Sequence, residues 1–340
     1  MADAELALLV RQVAHEADGV VSMLLTDPDG RPLPPWQPGA HLELTLPSGL
    51  IRQYSLCGDP APGGDHYRVA VLRERAGRGG SAEIHDTGLV GRVLRARGPR
   101  NRFQLVDAPR YVFIAGGIGI TPILPMVRAV AATSASWTLH YGGRTRRSMA
   151  FLDDLTAIAA AAGRRAPLHV VPEDERGLLD LKRILDDVAL GTEVYCCGPA
   201  GLITAVEHAC DAAGIAGRLH FERFAADPDA ASRKAAWPAG DDGPGAGAGR
   251  EPGVFEVELR ASGLTVKVDQ DESILEAVRR VLPDVPSSCE EGICGTCEVR
   301  VLDGTPDHRD DILSESERAA GDTMFICVSR ARTPCLVIDL

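Results

Sequence analysis

Cys289-Glu-Glu-Gly-Ile-Cys294-Gly-Thr-Cys297 sets three thiols at a four-residue and then a two-residue gap, and a fourth, Cys327, follows after 29 intervening residues. Two irons need four soft anionic ligands, so a loop has to wrap three thiolates around them while the fourth arrives from a distant strand. Gly292 and Gly295 lie inside this loop, where a missing Cβ lets the backbone curl close and turn its amides toward sulfur. A structural zinc ion is the competing reading, but zinc sites favour paired short spacings. The run therefore points to a 2Fe-2S cluster on Cys289, Cys294, Cys297 and Cys327. Nine cysteines is an odd number, and five of them stand at or after Cys289, which does not suit a disulfide framework spread through a secreted chain. Cys335, outside the run, reads as a buried small hydrophobe, as do Cys57 and Cys210.

Upstream of the loop, two alternating stretches, Phe255–Leu259 and Leu264–Val268, read as strands, and residues 273–281 as a helix capped by Asp271 or Ser273. With the cysteine loop, this segment resembles plant-type ferredoxins across residues 254–340. The resemblance implies a β-grasp domain that carries one electron at a time. Residues 254–340 hold 18 acidic and 9 basic side chains, so -9 of the chain's -12 lies there. That is either a solvated acidic face or an electrostatically steered docking surface.

Before it, residues 226–253 carry four prolines and six glycines in 28 positions. A flexible coil of that length reaches roughly 30 Å, so it serves as a tether or a hinge. The whole chain of 340 residues is long enough for two or three domains, each with its own core. Its negative balance is the wrong sign for nucleic acid or an anionic membrane surface. Residues 111–127 form a 17-residue uncharged stretch broken by three Gly and two Pro, too short to span a bilayer. The acidic opening Met1-Ala-Asp-Ala-Glu is unlike a signal peptide, so a cytoplasmic protein is expected.

Residues 1–107 show short alternating runs between turn signals, at positions 41–46, 51–56 and 67–72, which suit an antiparallel barrel or sandwich. From 108 to 225 the pattern becomes strands near 111–115, 137–141, 168–171 and 193–196 alternating with helical stretches near 121–131, 151–162 and 201–213. This implies a parallel sheet with helices on its faces. Phe113-Ile-Ala-Gly116-Gly117-Ile-Gly119-Ile-Thr121-Pro122 puts a glycine turn between a buried strand and a helix, where amides and the helix dipole attract a pyrophosphate. Tyr195-Cys-Cys197-Gly198-Pro199 ends a later strand in the same way. Two such strand ends on one sheet edge make a ligand crevice.

These two motifs resemble those of the ferredoxin-NADP reductase superfamily, as do Arg52-Gln-Tyr54-Ser55 and the later Gly77-Arg-Gly79-Gly80-Ser81. The resemblance implies that Thr121 and Cys197 flank a nicotinamide and that Gly116, Gly117, Gly119, Pro122, Gly198 and Pro199 shape the dinucleotide site. Arg52, Gly79, Gly80 and Ser81 would cradle a flavin phosphate, Tyr54 would lie against the ring, and Ser55 would stand near flavin N5, with Val71 and Leu72 from the preceding strand. Phe224 would lie near flavin and nicotinamide, or simply pack. Arg144, Arg146 and Arg147 could clamp the 2′-phosphate of NADPH, although NADH is favoured.

The order of flavin barrel (1–107), nucleotide domain (108–225), linker (226–253) and ferredoxin domain (254–340) resembles that of the phthalate dioxygenase reductase and vanillate demethylase reductase family. It implies FMN, although the sequence itself does not exclude FAD. The expected activity is electron transfer from NADH through FMN and the cluster to an oxygenase component, a Rieske-type aromatic demethylase or dioxygenase, with a haem monooxygenase as the alternative partner. A redox-sensing or binding module is the alternative of another class. Ser55, Thr121 and Cys197 are the candidate catalytic positions, and no general acid or base is required because the cofactors carry the chemistry.

Overall fold

The computed structural model describes residues 5–60, 64–74, 79–163, 166–186, 188–224, 253–287, 289–313 and 315–340. Gly77 and Arg78 of the expected phosphate loop, and residues 226–252 of the linker, lie outside these. The chain divides into two compact units, Met1–Arg223 and Phe224–Leu340.

The first unit opens with β1 (Glu5–Ala17), β2 (Val20–Thr26), β3 (Ala40–Thr45), β4 (Ile51–Ser55), β5 (His66–Leu72), α1 (Gly80–Asp86) and β6 (Val93–Asn101). The strands pair in the order β4-β3-β6-β1-β2-β5, every pair antiparallel. A bridge between Leu56 and Val69, with the Cys57 amide donating to the Arg68 carbonyl at 2.8 Å, brings the two edge strands together. The expected barrel is thereby closed around Leu8, Val10, Met23, Leu25, Leu42, Leu44 and Val69, all fully buried. Strand β1 is hard to see in the sequence because its register shifts between Val10 and Gln12, which breaks the period-two alternation there.

The α/β half follows with β7 (Arg110–Gly116), α2 (Ile120–Ala131), β8 (Ser136–Gly143), α3 (Leu152–Ala162), β9 (Leu168–Pro172), α4 (Glu173–Arg176), α5 (Leu181–Leu185), β10 (Thr192–Gly198), α6 (Ala200–Ala212) and β11 (Leu219–Arg223). The sheet order is β11-β10-β7-β8-β9, all parallel. Chain order reverses between β7 and β10, and ligands of open α/β sheets bind at the carboxyl ends of the strands at such a switch point. The two glycine motifs of the sequence stand at those two strand ends. Barrel and sheet are not separately cored: Ala17, Val20, Cys57, Ala70 and Phe103 of the barrel share one apolar cluster with Phe113, Met126, Trp137 and Tyr195. Among the described residues no helix is long and apolar enough to cross a membrane.

The second unit has β12 (Phe255–Leu259), β13 (Leu264–Val268), α7 (Ile274–Arg279), β14 (Glu298–Asp303), β15 (Pro306–Asp307), α8 (Glu315–Ala320), β16 (Thr323–Phe325), β17 (Arg330–Ala331) and β18 (Cys335–Ile338). Its main sheet runs β13-β12-β18-β14-β16, with β12 and β18 parallel and the other pairs antiparallel. Helix α7 buries Ile274, Leu275, Ala277 and Val278 in the core that Phe255, Val268, Phe325 and Leu336 complete. Of the two caps considered, Ser273 is the one used. It forms a capping box with Glu276, which satisfies two end amides that the helix itself cannot. One expectation is overturned: Cys335 is exposed, whereas Cys57 and Cys210 are buried. Cys335 opens β18 in register with Glu256, itself exposed, and only Leu336, Val337 and Ile338 turn inward.

Candidate functional site

At the switch point the two strand ends interlock through missing side chains. A Cβ on Gly119 would lie 2.2 Å from the Cys197 carbonyl oxygen and 2.6 Å from the Gly198 nitrogen. One on Gly116 would meet Leu202 at 2.7 Å and Pro199 at 2.8 Å. Gly117, with φ +54°, has nothing within 4 Å of its Cβ position and faces open space. The glycines thus let the turn rest directly on the end of β10 while its crest stays open. Thr121 and Cys197 are both buried. The Thr121 hydroxyl donates to the Ile118 carbonyl at 3.0 Å, which ties the first turn of α2 to the glycine loop. The Tyr141 hydroxyl donates to the Gly117 carbonyl at 3.2 Å and braces the loop from the β8 side.

Ser55 belongs to the barrel, but its hydroxyl donates across the unit to Glu222 on β11 at 3.3 Å. Glu222 stands in register with Cys197. Burial raises the Glu222 carboxyl to about 8, and the Ser55 hydroxyl only partly offsets this. Burial likewise holds the Cys197 thiol well above its ordinary value, with the Glu222 charge adding to it. Near neutral pH the site therefore presents a protonated carboxyl and a neutral thiol. Glu222 escaped the sequence reading. It sits within His220-Phe-Glu-Arg-Phe, and nothing local says that residue 222 faces residue 55.

The linkage has a definite sign. A carboxyl whose folded value is raised binds its proton more tightly when folded, so its stabilisation is complete below the unfolded value and disappears as pH rises through the folded one. The first unit should lose thermal stability between pH 4.5 and about 8, and Glu222→Gln should flatten that slope. Melting curves of both proteins across this range, without flavin, are the check; parallel slopes would refute the assignment.

On the barrel side, Arg52, Tyr54 and Ser55 lie on β4, and the Arg52 side chain crosses the start of α1. A Cβ on Gly80 would stand 2.7 Å from Arg52 Cγ. Gly79, at φ +85°, makes the left-handed turn into α1, a conformation that costs glycine nothing. The Ser81 hydroxyl accepts from the Glu74 amide at 3.1 Å, and the His85 ring contacts the Val71 carbonyl at 3.0 Å, so α1 is tied to the end of β5. Burial raises the Tyr54 phenol, so it stays neutral. A guanidinium, a glycine-lined helix start and an aromatic on one strand are donors suited to a phosphate and a flat ring. Phe224, just past β11, is 41% exposed. Of the three arginines considered for a 2′-phosphate, Arg146 pairs with Glu175 at 3.1 Å and Arg147 with Asp18 at 3.1 Å, while Arg144 is exposed.

In the second unit the four cysteines of the opening run come together, all buried. Side-chain contacts join Cys294 to Cys289, Cys289 to Cys327 and Cys327 to Cys297. Among the described residues no three acidic, histidine or cysteine side chains converge on a single metal ion. A chain of four thiols suits a two-iron core, which is wider than one ion. The loop curls through Glu290, Gly292 and Gly295 at φ +57°, +73° and +78°. A Cβ on Gly292 would strike Val328 at 2.6 Å and the Asp310 backbone at 3.0 Å. The curl aims the Glu291 amide at Cys289 Sγ at 3.3 Å and the Cys289 amide at Cys294 Sγ at 3.5 Å. Amides directed at sulfur stabilise negative charge there.

Comparison with known proteins agrees with both halves. Residues 257–332 match the 2Fe-2S iron-sulfur cluster binding domain, and residues 93–218 match the N-terminal domain of dimethylamine monooxygenase subunit DmmA-like proteins. The chain is 41% identical over 339 residues to phenoxybenzoate dioxygenase subunit beta of Ectopseudomonas oleovorans, covering 99% of this chain and 98% of that one. Among solved structures it resembles phthalate dioxygenase reductase, described as a modular structure for electron transfer from pyridine nucleotides to [2Fe-2S], at 34% identity and a TM-score of 0.66 over 99% of this chain and 98% of the other. It also matches an intact type IV self-sufficient cytochrome P450 monooxygenase at 42% identity and a TM-score of 0.83, there spanning 99% of this chain but only 41% of the longer one.

Proposed function

Since this chain belongs to the family of phthalate dioxygenase reductase and vanillate demethylase reductase, we propose that it accepts a hydride from NADH at the crevice of Gly116–Gly119 and Cys197–Pro199 and delivers single electrons from its ferredoxin unit to an oxygenase. The observation that carries this reading is the Ser55–Glu222 hydrogen bond. It joins the strand expected to hold flavin to the strand pair that ends at the nicotinamide crevice, so donor and acceptor meet within one compact unit.

Arg52, Gly79, Gly80 and Ser81 would hold the flavin phosphate, and Tyr54 the ring. Cys289, Cys294, Cys297 and Cys327 would ligate the irons. FMN supplies the exchange of one hydride for two single electrons, and the cluster carries those one at a time. The protein's work is orientation: the Thr121 hydroxyl ties the helix start to the glycine loop that would carry the dinucleotide, and buried Cys197 would offer it a neutral wall. Glu222 holds a proton of its own beside the site, and its carboxyl accepts from the Ser55 hydroxyl. With Arg146 and Arg147 engaged by carboxylates, a 2′-phosphate finds fewer free cations, which supports NADH over NADPH.

A Rieske-type aromatic oxygenase is the favoured acceptor, because the full-length relative above is a dioxygenase subunit. A haem monooxygenase is the second reading, favoured by the match within a self-sufficient P450 chain. Anaerobic NADH should bleach flavin and cluster absorbance stoichiometrically, faster than NADPH does, and added salt should slow only transfer from the acidic ferredoxin unit to its partner. If neither dinucleotide bleaches the protein, the proposal fails. Turnover with a Rieske oxygenase against a P450 decides between the partners.

A further inference from the structure

We propose that Phe151, clasped by Arg68, is a positioning residue that sets the angle at which the flavin barrel meets the nucleotide sheet; this rests on the hydride-transfer reading above. Phe151 caps the start of α3 with φ +62°. A bulky residue in the left-handed region persists only where its surroundings over-determine it. Here the surroundings come from the barrel. The Arg68 guanidinium of β5 lies 4.9 Å over the Phe151 ring, which is buried. Arg68 is held in turn by Glu16 of β1 at 2.6 Å, and Glu16 also accepts the Ser22 hydroxyl of β2.

The contact has a rim. The Asp18 amide, in the β1–β2 turn, donates to the Arg147 carbonyl at 2.9 Å, and their side chains pair at 3.1 Å. From Phe151 the connection runs inward: Asp154 of α3 pairs with Arg128 of α2 at 2.6 Å, and α2 begins at the glycine turn. On the barrel side, β5 runs from Arg68 directly to Val71 and Leu72, beside the flavin candidates. Three barrel strands thus grip the one residue whose backbone sets the direction of α3, and both ends of the contact lead to the reacting site. Phe151 belongs to the apolar core that the two halves share, and the guanidinium laid over its ring adds a directional hold that apolar packing alone does not give. Hydride transfer is sensitive to that angle, since a displacement of about 1 Å can cost roughly 100-fold in rate.

Phe151→Gly suits the test, because glycine adopts the same backbone without strain and removes only the ring. Arg68→Lys is the milder second variant: it keeps a charge for Glu16 and loses the planar face. The limiting rate of flavin reduction by NADH should fall about 10-fold or more in Phe151→Gly and less in Arg68→Lys, with the half-saturating NADH concentration within about twofold. In the flavin-free protein, amide hydrogen exchange should rise in residues 17–20 and 144–150. Unchanged limiting rates and exchange in both variants would overturn the clasp, as would a rise in half-saturating NADH without a fall in limiting rate. If the wild-type protein does not react with NADH, the function reading falls, and the exchange comparison still decides the clasp.

Discussion

Cys294→Ser should cut electron delivery to a protein acceptor such as cytochrome c by about 100-fold or more, while flavin reduction by NADH stays within about twofold. Cys294 is 9% exposed, and its sulfur takes the Cys289 amide at 3.5 Å and meets the Thr296 hydroxyl at 3.4 Å, both within its own loop. Serine fills nearly the same volume, so the loop can still close. A hard, weakly acidic hydroxyl is nevertheless a poor substitute for thiolate on iron, and three cysteines would leave a 2Fe-2S core one protein ligand short. The core of this unit draws on residues from Phe255 onward and includes Cys297 and Cys327 but not Cys294. Cys294, like Cys289, is therefore a proposed ligand whose replacement leaves that core intact. Absorbance of the purified variant reports the cluster, and stopped-flow mixing with NADH reports the flavin. Undiminished acceptor turnover would mean that electrons leave by another route.

Gly119→Ala should have the opposite pattern, lowering kcat/KM for NADH about 100-fold, close to 2.7 kcal/mol, while the cluster spectrum is preserved. The new Cβ would fall 2.2 Å from the Cys197 oxygen and 2.4 Å from its carbonyl carbon. Those are backbone atoms at a buried strand end, and no side-chain rotation relieves them. Overpacking in cores typically costs about 1–3 kcal/mol, and a clash with backbone belongs at the upper end. Gly117→Ala is the internal comparison. Its Cβ meets nothing within 4 Å, and only φ +54° opposes it, a cost of about 1–2 kcal/mol. It should lower kcat/KM several-fold less than Gly119→Ala. Equal effects of the two alanines would show that the interlock of the strand ends does not shape the dinucleotide site.

Much of the fold was legible where order is local. Phe255–Leu259 and Leu264–Val268 appear as read, and the α2 stretch differs by one residue at its start. Strand β6 is hard to read from the sequence because Arg95 and Arg97 alternate with Leu94 and Ala96 ahead of a Gly98-Pro99 step, a pattern that looks like a charged loop until its partners β1 and β3 bury one face. Cys335 failed for the reverse reason. A small apolar residue beside Leu-Val-Ile reads as buried, yet its position at the head of β18 turns it to solvent.

The sequence by itself determined the four-cysteine spacing, the glycine turns and the alternation of elements along the chain, because spacings of two to four residues and runs of alternating polarity express their physics within one stretch of chain. Only the tertiary structure decided which distant residues share a site. Ser55 and Glu222 stand 167 positions apart, and Arg68 reaches Phe151 across the barrel–sheet boundary. Those pairings depend on strand register and on which faces are packed together. That is also why the titration of Glu222 and the strained backbone of Phe151 emerge only once barrel and sheet share a core, and the tight seat of Gly119 only once β7 and β10 lie side by side.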